Sequence, residues 1–239
     1  MSVSIVVPAL NEAANIPVLV KRLQAACQRS PLIASFEVII VDDHSTDGTL
    51  EVCQRLAQRH TWLKVLQNQG QPGKAFSLLE GFRAARYELV GMIDADLQYP
   101  PEALPAMIAK IYDDGADVVI ANRVHHKTSL RRRIVSKLFR SLSGLLHGQP
   151  YDMQSGLKLL RRDILTYCDL KPTRWTLDLE LMSYAQALGC RIDSVDIDFA
   201  ERVSGQSKIQ LVRASYEILK QSLKLRFHPR TPTHPLVRS

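Results

Sequence analysis

Apolar and polar positions along this chain follow two periods. Val3-Ser4-Ile5-Val6-Val7-Pro8, Phe36-Glu37-Val38-Ile39-Ile40-Val41 and Tyr87-Glu88-Leu89-Val90-Gly91-Met92-Ile93 are short, nearly continuous apolar runs. Runs of that length predict buried strands. Leu63-Lys64-Val65-Leu66 predicts a short third strand, and Ala116 to Ala121 a fifth. Between them the apolar spacing opens to three and four residues. Ile16, Leu19, Val20, Leu23 and Cys27 predict a helix, with Asn11 as its N-cap and Glu12 in its first turn. Leu50, Val52, Leu56 and Ala57 predict a second, capped by Ser45 or Asp47. A loop from Gly70 to Lys74 leads into a helix from Ala75 to Ala85. Tyr99-Pro100-Pro101 ends the fourth strand and starts a helix from Glu102 to Tyr112, and another helix runs through Leu177, Leu181 and Tyr184. Strands alternating with helices predict an α/β fold with a mostly parallel sheet and helices on both faces.

In such a sheet the ligand lies outside the carboxyl ends of the strands. Pro8-Ala9-Leu10-Asn11-Glu12, Asp42-Asp43 and Asp94-Ala95-Asp96 all fall there. The fourth strand ends in two carboxylates one residue apart, which point the same way if strand geometry persists. They repel each other, and a cation between them removes the conflict. Oxygen ligands suit Mg²⁺ or Mn²⁺, which share their shell with substrate phosphates. Gln98 adds a carbonyl oxygen. The plainer alternative is a polar exit from strand to loop. The first turn lacks Gly-x-Gly-x-x-Gly, which argues against a dinucleotide redox cofactor, and Gly73-Lys74-Ala75 lacks the spacing and hydroxyl of a Walker loop.

Composition narrows the partners. The chain has 239 residues, 46% of them hydrophobic, enough for one large domain with a real core. Its net charge of +7 favours anionic partners. No apolar run is long enough to span a bilayer, and Met1 to Ile5 lacks the basic start of a signal peptide. Cys27, Cys53, Cys168 and Cys190 are too far apart for a zinc or redox motif and read as reduced residues of a cytoplasmic protein. From Arg123 to His147 the chain carries Arg123, Lys127, Arg131, Arg132, Arg133, Lys137 and Arg140 with no Asp or Glu. Arg132, Ser136 and Arg140 share a helical face beside an apolar stripe through Val135, Leu138 and Leu142. Guanidinium groups with a hydroxyl make a phosphate receptor. Nucleic acid is not expected, because no exposed aromatics interleave the basic run. Val212, Tyr216, Leu219 and Leu223 oppose Arg213, Glu217, Lys220 and Lys224 on a last helix. That helix either lies on an anionic membrane or packs on the domain.

Taken together, Val7-Pro8-Ala9-Leu10-Asn11-Glu12, Val41-Asp42-Asp43-His44-Ser45-Thr46-Asp47-Gly48-Thr49 and Asp94-Ala95-Asp96-Leu97-Gln98 resemble the inverting family 2 glycosyltransferases with a GT-A fold. Ala121-Asn122-Arg123, Arg132-Arg133-Ile134-Val135-Ser136, Gln154-Ser155-Gly156-Leu157-Lys158, Asp178-Leu179-Glu180-Leu181 and Phe199 to Lys208 resemble the dolichyl-phosphate mannose synthase, or polyprenyl-phosphate glycosyltransferase, branch. Gln154 and Lys158 depart from that branch's usual residues. The resemblance implies one GT-A domain over residues 1–208, with a nucleotide-sugar half to about residue 122, an acceptor half from 123, and an amphipathic helix and tail over 209–239. It places Pro8, Asn11 and Glu12 around base and ribose, with Asp43 or Asp42 accepting a base N–H. Asp94, Ala95 and Asp96 face the diphosphate, with the metal on Asp96 and Gln98 supported by Asp94. Gly73 permits close backbone approach, and Lys74 either meets the nucleotide or is a solvated helix start. Arg123, Arg132 and Ser136 take the acceptor phosphate, while Arg202 and Lys208 hold the diphosphate and close the site. Asp94, Asp96, Arg123 and Arg202 form the expected catalytic set.

The activity so implied is metal-dependent transfer of a hexose from a GDP-mannose or UDP-glucose type of donor to dolichyl or undecaprenyl phosphate. It takes place at the cytoplasmic membrane face, with the chain held peripherally on anionic lipid. A membrane-protein partner or a homo-oligomer is left open. A lipid monophosphate is already ionised at neutral pH and needs orientation rather than a general base. If the acceptor is instead a sugar hydroxyl, which is the alternative reading, Asp178 or Glu180 touches the sugar or serves as base. A non-catalytic nucleotide-sugar-binding protein is the second alternative.

Overall fold

The apolar runs become central strands because both of their faces are covered. A computed structural model describes residues 1–126, 155–173, 176–200 and 220. Seven strands form one sheet: β1 Ser2–Ala9, β2 Ser35–Asp42, β3 Leu63–Gln67, β4 Leu89–Ile93, β5 Val118–His126, β6 Leu157–Arg161 and β7 Ile192–Phe199. Their spatial order is β3-β2-β1-β4-β6-β5-β7. β3, β2, β1 and β4 are parallel, as are β5 and β7, and β6 runs antiparallel between β4 and β5.

Side chains leave each strand alternately, so each run feeds two cores. Val3, Ile5, Val7, Val38 and Ile40 pack under α1 (Ile16–Arg29), α2 (Thr49–Ala57) and α4 (Leu104–Tyr112). Val6, Ile39, Val41, Val90 and Met92 pack under α3 (Lys74–Ala84). α3 lies very close to the sheet, since a β-carbon on Gly81 would stand 2.2 Å from Val6 Cγ1. β5 and β6 are covered by α5 (Asp163–Thr166) and α6 (Leu177–Ala187). Each apolar side chain buried this way contributes about 1.5–3 kcal/mol.

Three local expectations change. α1 begins at Ile16 with Asn15 in the cap position, so Asn11 does not cap it; Asn11 has φ 53° and binds the neighbouring loop. α2 is preceded by Gly48 at φ 85°, and Asp47 rather than Ser45 serves its start by accepting the Thr49 N–H at 3.0 Å. The helix expected from Glu102 divides into a 3₁₀ turn, Pro101–Ala103, and α4. β6 and β7 lie outside the strands that the apolar runs predict. The basic run over residues 127–147 and the helix expected over 209–225 lie outside the described residues, residue 220 apart. Among the described residues no helix is long and apolar enough to cross a membrane.

Candidate active site

Strand order turns back on itself at β1, which has β2 on one side and β4 on the other. A crevice opens outside the carboxyl ends of the strands at such a point. Because β6 is antiparallel, its amino end reaches the same place: Leu157 pairs with Ile93, so Ser155 and Gly156 lie beside the exit of β4.

The exits of β1 and β2 are knitted into one wall. Pro8 pairs with Val41 in the last register of the parallel ladder before Ala9 and Asp42. The Asn11 N–H donates to Ser45 Oγ at 2.9 Å, and its own Oδ1 accepts the Thr46 N–H at 2.7 Å. The Glu12 N–H donates to Thr49 Oγ1 at 2.8 Å, and Glu12 Oε2 accepts Asn15 Nδ2 at 2.6 Å. Asp43 is buried and is the hub of the next loop: its Oδ1 accepts Asn68 Nδ2 at 2.9 Å and the Gly73 N–H at 3.0 Å. Asp42 is buried too. It accepts the Ser45 N–H at 3.2 Å, while its Oδ1 has no hydrogen-bond partner among the described residues. Gly73 takes φ 149°, a conformation that other residues rarely adopt, and it starts α3 with Lys74 as the first helical residue.

Strand geometry does not persist through the paired carboxylates. β4 stops at Ile93, and Asp94 to Gln98 form a turn with Leu97 at φ 63°. The turn, not the pleat, sets Asp94 and Asp96 near each other. Asp96 Oδ1 accepts the Gln98 N–H at 3.2 Å. Asp94 Oδ1 lies 2.5 Å from Lys74 Nζ. Burial pushes the Asp94 carboxyl above its ordinary value; Lys74 opposes that rise and Asp96 adds to it. Burial disfavours the Lys74 ammonium, yet Asp94 and Asp178 outweigh it and hold its titration above the usual lysine value.

Among the described residues no three His, Cys, Asp or Glu side chains are grouped to hold a metal. Asp94, Asp96 and Gln98 supply hard oxygen donors, so they fit an ion of the Mg²⁺ or Mn²⁺ kind that draws the rest of its shell from phosphates and water. Ala95 is buried between the two carboxylates.

A second ion pair lies behind the first. Lys158 is fully buried, and its Nζ donates to Asp178 Oδ1 and to the Ser155 carbonyl, both at 2.5 Å. Asp178 is in the first turn of α6 and close enough to interact electrostatically with Lys74 and Asp94. Glu180 is two residues on, about 200° around the helix. It is fully buried and accepts the Lys171 N–H at 2.9 Å, which ties down the segment before α6 rather than lining the crevice with Asp178.

The β5 and β7 ends close the far side. The Arg123 guanidinium lies over the Phe199 ring, 5.1 Å from its centre, and Phe199 meets Tyr99 edge-on at 5.0 Å. Gln98 and Ala200 exchange hydrogen bonds: the Ala200 N–H donates to Gln98 O at 3.1 Å, and Gln98 Nε2 donates to Ala200 O at 3.2 Å. Arg132, Ser136, Arg202 and Lys208 lie outside the described residues. Sequence reasoning assigned no role to Asn68, Gly156, Lys158 or Phe199. Lys158 carried a signal, a charge inside the apolar Leu157 to Leu160 run; Asn68 carried none.

Comparison with known proteins extends this picture. The family model described as Glycosyl transferase family 2 matches residues 4–168. An undecaprenyl-phosphate 4-deoxy-4-formamido-L-arabinose transferase of Yersinia enterocolitica is 31% identical over 218 residues, covering 88% of this chain and 63% of its own length. A dolichol-phosphate mannosyltransferase of Pyrococcus furiosus is 27% identical, covering 94% of this chain and 64% of its own. The chain thus spans less than two thirds of these relatives. Glucosyl-3-phosphoglycerate synthase from Mycobacterium tuberculosis, crystallised with Mn²⁺, UDP-glucose and phosphoglyceric acid, superposes with a TM-score of 0.75 at 20% identity, covering 96% of this chain and 80% of that one. That likeness establishes the fold, which is GT-A.

Proposed function

This chain belongs to glycosyl transferase family 2, and we propose that it moves one hexose from a nucleoside-diphosphate sugar to a polyprenyl phosphate, with inversion at the anomeric carbon. The observation that carries this reading is the meeting of Asp94, Asp96 and Lys74 at the strand-order reversal, against the wall built by Asn11, Glu12 and Asp43. Support for the acceptor comes from two relatives named for undecaprenyl phosphate and dolichol phosphate. Support for the donor and metal comes from a neighbour of the same fold crystallised with Mn²⁺ and UDP-glucose.

Pro8, Asn11 and Glu12 line the base and ribose, and a base N–H donates to Asp42 or Asp43. The amino end of α3, with Lys74 in its first turn, attracts the diphosphate. Arg202 and Lys208 close over it. Asp96 and Gln98, supported by Asp94, would hold a divalent ion, which would supply Lewis-acid stabilisation of the charge that develops on the leaving diphosphate. Arg123, Arg132 and Ser136 orient the acceptor phosphate. One of its oxygens forms the new bond to the anomeric carbon as the bond to the nucleotide's phosphate oxygen breaks, and the nucleoside diphosphate leaves with the electron pair. No proton has to be removed, so no general base is assigned.

The polyprenyl chain stays in the bilayer, so the protein works peripherally at the cytoplasmic face, with its basic amphipathic segments toward anionic lipid. A sugar hydroxyl as acceptor is the second reading. It needs a base, and of Asp178 and Glu180 it is Asp178 that lies near the crevice, although its Oδ1 is taken by Lys158. The test is a screen of GDP- and UDP-sugars against polyprenyl phosphate and the matching free polyprenol. Product from the phosphate alone is expected; equal use of both lipids overturns the phosphate-acceptor reading.

A further inference from the structure

We propose that Lys74 stands in the cation position at Asp94 until a nucleoside diphosphate arrives, so that metal and nucleotide load together. The proposal rests on the nucleotide-sugar reading above and adds a competition to it. Asp94 is hemmed in by Lys74 on one side and Gly156 on the other. Oδ1 is 2.5 Å from Lys74 Nζ, and Oδ2 lies so close over Gly156 that a β-carbon there would stand 2.2 Å away. A divalent ion approaching Asp94 therefore meets an ammonium first, and two cations at that range repel strongly in a partly buried site.

Lys74 is able to leave. Its side chain is 34% exposed, and it sits on the first residue of α3 behind Gly73. Lys158, the neighbouring cation, is fixed by contrast: fully buried and held between Asp178 and the Ser155 carbonyl. Of these two, Lys74 is the one that can exchange partners. A diphosphate at the amino end of α3 offers it a stronger anion than a single carboxylate. As Lys74 moves to the diphosphate, Asp94 Oδ1 is released and the carboxylate pair again lacks a counter-charge. Coupling of this kind is reciprocal, so each ligand raises the affinity of the other.

Metal bridging alone also makes nucleotide and metal cooperate, so the discriminating measurement is Mn²⁺ binding without nucleotide. Free Mn²⁺ is followed by its paramagnetic resonance on the purified wild type, Lys74→Met and Lys74→Gln. Both variants are expected to bind Mn²⁺ alone about tenfold more tightly than the wild type. They are also expected to bind GDP and UDP more weakly in the absence of metal. Melting curves give a second readout, since Mn²⁺ alone should raise the melting temperature of the variants more than that of the wild type. If GDP or UDP tightens Mn²⁺ on the wild type but the variants bind Mn²⁺ alone no better than it does, the competition is wrong and the functional reading stands. If the wild type binds no Mn²⁺ even with GDP or UDP, the functional reading and the competition fall together.

Discussion

A β-carbon on Gly156 would stand 2.2 Å from Asp94 Oδ2 and 2.6 Å from its Cγ. The two residues meet because antiparallel β6 brings its amino end alongside the end of β4. Tyr99 Cε2 would be 2.7 Å from the same carbon, so the ring crowds that position from a second side. Gly156→Ala must therefore displace Asp94. A misplacement of about 1 Å at a reacting centre costs on the order of 10²-fold in rate. The expected result is that loss in kcat/KM with a cooperative melting transition retained; wild-type activity in Gly156→Ala would contradict it.

Much of this was legible from side-chain pattern. The continuous runs of β1, β2 and β4 betray strands buried on both faces, and the i, i+3, i+4 spacing of Ile16, Leu19, Val20 and Leu23 fixes α1. Pattern failed where tertiary contacts decide. β6 has five residues and a buried lysine in second place, so its sequence resembles a loop until Asp178 is brought to it from α6. β7, the sheet-edge strand beside β5, alternates Asp196 and Asp198 with Val195, Ile197 and Phe199, but Asp193 and Ser194 break the period at its start. Asn11 has a helix-capping side chain, but the capping site is four residues further on, and Asn11 joins two loops instead. Nothing local announces Asn68 as a partner of Asp43, twenty-five residues away.

Chelation probes the oxygen donors directly. EDTA should abolish transfer, and Mg²⁺ or Mn²⁺ should restore it. Asp96→Ala should remove activity without unfolding the chain, because Asp96 accepts the Gln98 N–H within its own turn and its loss relieves repulsion on Asp94. Full activity in EDTA would remove the metal from the mechanism.

The Arg123 guanidinium rests over the Phe199 ring. A guanidinium over an aromatic face gains roughly 0.5–2 kcal/mol, depending on how dry the site is. Phe199→Leu keeps an apolar side chain but loses the ring. KM for the acceptor should rise by up to about tenfold while kcat changes little, and Phe199→Tyr should restore it. An equal fall in kcat for both variants would point to a structural role.

Acid should weaken the amino end of the sheet through Glu37. This carboxylate is fully buried and accepts the Ser4 hydroxyl at 2.7 Å and the Arg86 N–H at 3.0 Å, with Lys64 Nζ at 2.7 Å. Burial works against its ionisation, but Lys64, Ser4 and Arg86 prevail and hold the carboxyl below its ordinary value. A depressed carboxyl contributes stability that is complete above the unfolded-state value and is lost as pH falls through the folded one. Denaturant midpoints should therefore drop below about pH 4.3, and Glu37→Gln should flatten that fall. An unchanged pH profile in Glu37→Gln would exclude Glu37 as its source.

Lys158 and Asp178 offer a test of which half of a buried pair matters more. Removing one partner of such a pair is costly because the other charge stays behind, typically about 3–5 kcal/mol in a closed interior. The two charges here are not equally enclosed. Lys158 is fully buried, whereas the Asp178 side chain is 17% exposed and also feels Lys74. Asp178→Asn strips a carboxylate from an ammonium that has no access to water. Lys158→Met leaves a carboxylate at the crevice, where solvent and a second cation share its charge. Asp178→Asn should therefore lower stability more than Lys158→Met, by chemical denaturation at neutral pH. The double variant should cost less than the sum of the two, with an interaction of about 0.5–3 kcal/mol. Strict additivity, or the reverse order of the single variants, would mean that the short Lys158–Asp178 contact does not hold the first turn of α6 against β6.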